Sequence, residues 1–280
     1  MAYEHGGDRA LDYYPCRYGQ SKLLFRGPRR NLDGDYLAVL GGTLTYGKFV
    51  QKPYPALIED ALGLPVVNLG YMNAGADVFL GEPAIIDMCR QARATVIQLM
   101  GAQNMSNRYY AVHPRRNDRF LRASQLMKSI FREIDFTEFH FTRHMLFTLK
   151  MRSAEKFDLL EQELKAAWVA RMTSLLQRVS GSAVLLWVGD YRNSDLDTDD
   201  LGSEPLLVDD DMVAAILPYA SGLVRVGPSD EARSAGQDGM FFSPLEEPIA
   251  RELPGPKVHE EVAAALAAEL AGTLLARPLR

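Results

Sequence analysis

The sequence has 280 residues, of which 47% are hydrophobic and 24% charged, and a net charge of −5. This length suffices for one large α/β domain or two small ones, and the negative charge argues against general nucleic-acid binding. No apolar run approaches the ~20 residues that a membrane span needs. The N-terminus has no signal-peptide core, and Cys16 and Cys89 lie far apart without a metal-binding pattern. These features predict a soluble, cytoplasmic protein with reduced thiols.

Short apolar runs alternate with helical patterns from residue 36 onward, whereas residues 1–35 show no hydrophobic period and predict an irregular arm. The predicted strands are 36–40, 65–69, 95–100, 183–188 and 223–226. The predicted helices are 54–62, 77–92, 119–133, 154–179 and 258–276. Buried strands that alternate with helices are typical of a parallel sheet covered on both faces. We therefore predict a three-layer α/β/α domain over residues 36–280.

Residues 105–180 separate the third and fourth strands and are too many for one crossover helix. They carry two helical patterns, with an aromatic segment over 136–147 between them. We predict a helical insertion that covers the carboxyl edge of the sheet, where open α/β folds bind ligands.

A glycine-rich turn, residues 41–47 (GGTLTYG), follows the first strand and can be interpreted in two ways. With Lys48 it approaches the Gly-x-x-x-x-Gly-Lys pattern of a phosphate-binding loop. However, Phe49 stands where a metal-binding Ser or Thr is needed, and Pro53 and Pro55 oppose a helix before residue 54. As Gly-x-x-Leu-Thr-x-Gly, the turn resembles the nucleophile loop of the GDSL esterases.

Three further blocks stand at the expected places along the chain. Residues 68–75 (NLGYMNAG) follow the second strand, 101–104 (GAQN) follow the third, and 256–259 (PKVH) precede the last helix. In this order the four segments resemble the nucleophile, glycine, Gly-x-Asn-Asp and Asp-x-x-His blocks of the SGNH/GDSL hydrolase superfamily. The resemblance covers about 36–104 and 183–275, and it implies a flavodoxin-like parallel sheet with esterase or acyltransferase chemistry.

The resemblance also implies a role for individual residues. Thr43 falls on the nucleophile and His259 on the general base. Oxyanion donors would be Gly70 or Gly75 together with Asn104, although strict alignment puts Gln103 at the amide position. We also expect contacts to the substrate from Gly42, Thr45, Lys48, Asn73 and Gln103.

Two members of the implied triad differ from the superfamily pattern. Thr43 replaces serine, and its hydroxyl can attack a carbonyl only with a base in hydrogen-bond reach. Pro256 replaces the aspartate that would set the tautomer of His259. The motif therefore supports the fold better than the reaction.

A cluster of five arginines follows the third block, at positions 108, 115, 116, 119 and 122. Guanidinium forks bind carboxylate, phosphate or sulfate, and aromatic rings beside them suit a sugar or nucleotide. An anion-binding pocket would use Arg108, Tyr109, His113, Arg115 and Arg116. The alternative is a solvated basic face paired with the acidic stretches 195–200 and 209–211.

His140 and His144 are four residues apart and would share a helix face, as metal ligands can. No acidic third ligand has suitable spacing and the neighbours are aromatic, so we predict packing, with no metal and no cofactor.

Together these features predict an esterase, deacylase or acyltransferase for an acylated carbohydrate or small metabolite, which can be anionic. One alternative is an inactive SGNH-like protein that binds an anionic ligand. Another is a sulfo- or phosphoryl-transferase that uses Lys48 and the arginines. No nucleic-acid or membrane partner is expected, and the apolar faces of the insertion could serve a homo-oligomer as well as a cap.

Overall fold

A sheet of parallel strands forms the centre of the computed structural model, which describes residues 11–189, 191 and 201–275. Its strands, in spatial order, are β2 (Val66–Gly70), β1 (Leu37–Gly41), β3 (Ala94–Gln98), β6 (Ala183–Val188) and β7 (Gly222–Val226). β1 is buried at every position, as expected of a strand covered on both faces. The order matches the 2-1-3-4-5 arrangement of flavodoxin-like folds, in which ligands bind beyond the carboxyl ends of the strands.

Helices cover both faces of this sheet, and the predicted α/β/α architecture is confirmed. In the described part of the chain they are α1 (Thr43–Tyr46), α2 (Tyr54–Leu62), α3 (Ala76–Leu80), α4 (Pro83–Gln91), α5 (Gln125–Ile130), α6 (Thr142–Arg152), α7 (Ala154–Val179), α8 (Asp210–Ile216), α9 (Asp230–Ala235), α10 (Glu247–Ala250) and α11 (Pro256–Leu275). The apolar sides of α2 and α11 pack on one face of the sheet, and those of α3, α4 and α7 pack on the other. Among the described residues, no helix is long and apolar enough to cross a membrane.

Three predicted elements are wrong. Helix 77–92 is broken into α3 and α4, because Pro83 begins a new helix after Gly81 and Glu82. The predicted helix 119–133 is instead strand β5 (Arg116–Ala123) followed by α5, and β5 pairs antiparallel with β4 (Tyr110–His113). The third error is the expectation that no helix begins before residue 54, because the one-turn helix α1 begins at Thr43. Gly47 ends this helix in the left-handed conformation (φ +72°).

The prediction of helix 119–133 rests on the apolar residues Phe120, Leu121, Leu126, Ile130 and Phe131, which the structure divides between β5 and α5 with its C-terminal cap. Asn117, Phe120 and Ala123 of β5 are buried at intervals of three, as on a helix. Irregularities in the register of the β4–β5 pair interrupt the usual alternation of two. A period of three therefore arises here from a distorted strand.

The described part of the predicted arm, residues 11–35, contains no helix or ladder apart from a bridge between Cys16 and Phe25. Tyr18, Leu23 and Phe25 are buried in the core. The division of the chain into an arm, a domain and an insertion stays a prediction.

Candidate functional site

A cleft of about 540 Å³ lies beyond the carboxyl ends of the central strands. Its floor includes Thr43 after β1, Asn73 after β2 and Asn104 after β3. The β4–β5 hairpin contributes Asp118, and α6 contributes Thr142 and Arg143 at its N-terminal end. Residues 248–254, which include part of α10, form a further wall. The cleft therefore occupies the place where parallel α/β sheets bind ligands.

Side chains of neighbouring strands hold the glycine-rich turn in place. The side-chain oxygen of Gln98 accepts the backbone N–H of Gly42 at 2.8 Å and the hydroxyl of Thr45 at 3.0 Å. Asn68 donates through Nδ2 to the carbonyl of Thr45 at 2.8 Å. Thr45 is fully buried, so it supports the turn from below and does not face the cleft.

Thr43 and Asn73 form two hydrogen bonds with each other. The Thr43 hydroxyl oxygen accepts the backbone N–H of Asn73 at 3.0 Å, and the hydroxyl donates to Asn73 Oδ1 at 3.2 Å. Asn73 has a positive φ of +54°, a conformation that asparagine tolerates better than most residues. Its Nδ2 donates to Asp118 Oδ2 at 3.2 Å. A chain of hydrogen bonds thus runs across the cleft from Thr43 to Asp118.

Asn104 is also held in one orientation. Its Nδ2 donates to the carbonyl of Asn73 at 3.1 Å, and its Oδ1 accepts the hydroxyl of Thr142 at 2.7 Å. These bonds use one of the two amide hydrogens of Asn104. The neighbouring Gln103 also lines the cleft, and its Oε1 is buried without a hydrogen-bond partner.

The two glycines implied as oxyanion donors have their N–H groups engaged. Gly70 donates to Asn68 Oδ1 at 2.8 Å, and Gly75 donates to Asn117 Oδ1 at 3.0 Å. Both positions require glycine for another reason. A Cβ on Gly70 would lie 2.2 Å from the Tyr46 nitrogen, and one on Gly75 would lie 1.8 Å from the Asn104 carbonyl oxygen. Their observed role is close packing of backbone against backbone.

His259 lies in the first turn of α11 with only 1% of its surface exposed. Its Nδ1 accepts the backbone N–H of Tyr54 at 3.1 Å, and its ring stacks on the Tyr54 ring at a centroid distance of 6.0 Å. Burial, assisted by the positive charge of Arg26, lowers the pKa of His259 to about 3. His259 is not among the described residues that line the cleft.

The tautomer of His259 follows from this hydrogen bond. A nitrogen that accepts a hydrogen bond carries no proton, so the neutral ring carries its proton on Nε2. In a serine-hydrolase triad the opposite holds, because Nδ1 carries the proton and Nε2 accepts one from the nucleophile. The structure therefore brings Thr43, Asn73, Gln103 and Asn104 together and leaves His259 in a different environment.

Lys48 lies outside the lining of the cleft. Its ammonium group is 4.0 Å from a carboxylate oxygen of Glu246 and 4.4 Å from the centre of the Phe49 ring. A contact from Lys48 to a ligand in the cleft finds no support in this arrangement.

The five clustered arginines do not line the cleft, although Arg119 lies over the ring of the lining residue Phe141, 5.8 Å from the ring centre. Arg108 is exposed and pairs with Glu163 at 2.7 Å. Arg115 and Arg116 are exposed at the turn of the hairpin, where their backbone N–H groups donate to Nδ1 of His113 at 3.2 Å each. Tyr109 is buried in the core. These five predicted anion-binding residues do not line the cleft.

The acidic partners suggested for these arginines lie elsewhere. Asp209 is 3.0 Å from Lys165, and Asp210 pairs with Arg225 at 2.5 Å. The stretch 192–200 lies outside the described residues. The described residues include no group of three side chains that could hold a metal ion. His144 makes an edge-on contact with Phe139.

Sequence reasoning missed several residues of the cleft, all of them outside the four superfamily blocks. They are Asp118, Thr142, Arg143, Tyr191, Glu204 and Glu252. Arg143 pairs with Glu204 at 3.0 Å. Asp118 could have been found by predicting β5 as a strand, because a hairpin at the carboxyl edge of the sheet can present side chains to the cleft.

Fold and cleft together define a three-layer α/β/α protein with a polar cleft at the carboxyl edge of its sheet. The chain belongs to the family described as "Domain of unknown function (DUF6473)", which matches residues 1–274. No match to a curated protein was found.

Several solved structures resemble the chain at a distance. One is a carbohydrate esterase family 2 enzyme with a carbohydrate-binding domain from Corynascus thermopiles (Myceliophthora fergusii), with 12% identity over 89% of this chain and 69% of that chain and a TM-score of 0.47. A catalytic mutant of Axe2, an acetylxylan esterase from Geobacillus stearothermophilus, has 13% identity over 85% of this chain and 94% of that chain, with a TM-score of 0.43. The salicylyl-acyltransferase SsfX3 of a tetracycline biosynthetic pathway has 11% identity over 92% of this chain and 60% of that chain, with a TM-score of 0.39. The chemistry of this chain has to be argued from its own residues.

Proposed function

We propose that the cleft binds a small, hydroxyl-rich molecule, such as a carbohydrate or its acylated derivative, and that Thr43 contacts this ligand without acting as a nucleophile. The observation that carries the proposal is the pair of hydrogen bonds between Thr43 and Asn73. The hydroxyl proton of Thr43 is directed at an amide oxygen, which is a weak base. A nucleophilic hydroxyl needs a general base in that place.

The lining of the cleft supports a polar ligand. Thr43, Asn73, Gln103 and Asn104 offer hydroxyl and amide groups, which can accept from and donate to the hydroxyls of a sugar. Phe141 lies at the rim with about half of its surface exposed, and its ring can pack against the apolar face of a sugar ring. Such a mixture of apolar surface and a few polar groups is typical of small-molecule sites.

The charge of the described lining residues favours a neutral ligand over an anionic one. Among the described lining residues, Asp118, Glu204 and Glu252 carry carboxylates, whereas Arg143 alone carries a guanidinium group. Carboxylates in a partly buried site repel an anionic ligand, because their charges have the same sign. The proposal therefore departs from the anionic ligand that the arginine cluster suggested, and the remote position of Lys48 likewise gives the group-transferase alternative no support.

Acyl transfer or hydrolysis by Thr43 is the second candidate, and one observation favours it. Asn104 donates to the backbone carbonyl of Asn73, and the backbone N–H of Asn73 donates to the Thr43 hydroxyl. The side-chain amide of Asn104, which has one unused hydrogen, therefore lies in the same part of the cleft as Thr43. An amide hydrogen of this kind can stabilise a developing oxyanion. This candidate needs a base that reaches Thr43 when the substrate is bound.

Binding is tested with a panel of probes that differ in charge: methyl β-glucoside, its glucuronate and glucosamine counterparts, and its acetylated derivative. Saturation-transfer NMR measures binding, and amide chemical-shift changes map the site. We expect the neutral glucosides to bind at the cleft and to bind less well after Asn104→Ala. Gln91→Ala, a change at the end of α4 away from the cleft, is the matched control. The proposal is overturned if no probe binds, or if the shift changes map to another surface.

A further inference from the structure

We propose that Asp118 is a positioning residue that determines whether Thr43 acts as a hydrogen-bond acceptor or as a donor toward the ligand. The bond from Asn73 Nδ2 to the Asp118 carboxylate carries this inference. Its consequence for ligand choice rests on the proposed function, whereas the orientation of Asn73 can be tested without any ligand.

The carboxylate fixes the orientation of the Asn73 side chain. An ionised carboxylate can only accept hydrogen bonds, so the amide group of Asn73 must turn its NH₂ toward Asp118. The amide oxygen then faces the Thr43 hydroxyl, 3.2 Å away. Either atom of an amide could in principle stand in either place, and the carboxylate removes this ambiguity.

The orientation of Asn73 in turn fixes the proton of Thr43. The hydroxyl oxygen has one proton and two lone pairs. The proton goes to Asn73 Oδ1 and one lone pair accepts the Asn73 backbone N–H. One lone pair of Thr43 therefore remains for the ligand, and it accepts a hydrogen bond from a ligand hydroxyl.

A donor at position 118 should reverse this arrangement. Lysine offers only donors, so it would attract Asn73 Oδ1 and turn Nδ2 toward Thr43. Both lone pairs of Thr43 would then be occupied by Asn73, and its proton would be free to point into the cleft. The wild-type protein should select ligands with free hydroxyls, and Asp118→Lys should select ligands that only accept.

The ligand-free experiment follows the side-chain amide signals of Asn73 by ¹H–¹⁵N NMR. We expect Asp118→Ala to shift these signals strongly and Thr43→Val to shift them weakly, because the NH₂ faces Asp118. The proposal is overturned if Thr43→Val has the larger effect. This result is independent of whether any glucoside binds, so failure here is distinguished from failure of the proposed function.

The binding experiment compares the dissociation constants of methyl β-glucoside and its fully O-methylated ether, which accepts but does not donate. We expect the wild type and Asp118→Glu to prefer the glucoside, and Asp118→Lys to shift the ratio by about fivefold toward the ether, as expected for one hydrogen bond. When Thr43→Val is already present, adding Asp118→Lys should leave the ratio of the two dissociation constants unaltered. Equal ratios in the wild type and Asp118→Lys, or an unreduced effect in the Thr43→Val background, would refute the role of Asp118.

Discussion

Nδ1 of His259 accepts the backbone N–H of Tyr54 at 3.1 Å and so joins the first turn of α11 to the first turn of α2. The N-cap residue of α2 is Pro53, which offers no side-chain acceptor. The first N–H groups of a helix have no partner within the helix, and a buried one is costly if it stays unpaired. His259 therefore supplies, from a distant part of the chain, the acceptor that the start of α2 lacks.

This role predicts how substitutions of His259 affect stability. His259→Ala leaves the Tyr54 N–H buried without a partner, which should lower the free energy of unfolding by about 1–3 kcal/mol, in addition to the loss of packing. His259→Asn places an amide oxygen close to the position of Nδ1, so it should keep part of the hydrogen bond and lose less stability than His259→Ala. Urea unfolding of the three proteins measures the difference. Equal losses in both variants would show that the hydrogen bond does not matter.

The low pKa of His259 predicts a dependence of stability on pH. Burial lowers the pKa of His259 from 6.5 to about 3 in the folded state. The unfolded chain therefore binds a proton below pH 6.5, while the folded protein does not until about pH 3. The stability that neutral His259 contributes is complete above pH 6.5 and is lost as the pH falls through this window, by about 1.4 kcal/mol per unit.

The comparison with His259→Asn isolates this effect, because the variant lacks the titrating group. Between pH 7 and pH 5 the wild type should lose about 2 kcal/mol more than the variant, as measured by urea unfolding at each pH. Parallel pH profiles of the two proteins would be inconsistent with a buried, neutral imidazole.

The close backbone contacts of Gly70 and Gly75 predict strong effects of an added methyl group. Gly75→Ala would place a Cβ 1.8 Å from the Asn104 carbonyl oxygen, and Gly70→Ala would place one 2.2 Å from the Tyr46 nitrogen. Each change must displace neighbouring backbone and should cost about 1–3 kcal/mol or more of stability. Thermal unfolding tests this.

Gly272→Ala is the matched control for these glycines. A Cβ at Gly272 would meet no atom within 4 Å, and the residue lies inside α11. Alanine there should stabilise the protein by about 0.5–1 kcal/mol, because glycine loses more conformational entropy in a helix. Similar effects of all three substitutions would contradict the packing described for Gly70 and Gly75.

The elements that the sequence predicts well are those with long, regular patterns. The bounds of β6, α2 and α7 follow from the sequence, because the continuous apolar run of β6 and the helical periods of α2 and α7 are each bounded by glycine, proline or serine. The hairpin could not be predicted this way, because the apolar residues of β5 and α5 follow one another closely in sequence and together suggest a single helix.

Part of the candidate site follows from the resemblance to the SGNH/GDSL hydrolases. The blocks that carry the resemblance contain Thr43, Asn73, Gln103 and Asn104, which follow the carboxyl ends of three parallel strands, and these four residues line the cleft. The environment of His259 could not be predicted. It depends on the packing of α11 against α2, whose contacting residues are 205 positions apart in the chain.

In the proposed function, Thr43 contacts a ligand without being activated as a nucleophile. The most direct test of this role is the hydrolysis rate of an acyl-ester panel, including acetylated methyl β-glucoside, by the wild type, Thr43→Ala and Thr43→Ser, with folding checked by unfolding midpoints. We expect the three proteins to hydrolyse these esters at the same background rate. Hydrolysis that Thr43→Ala abolishes and Thr43→Ser increases would contradict this role.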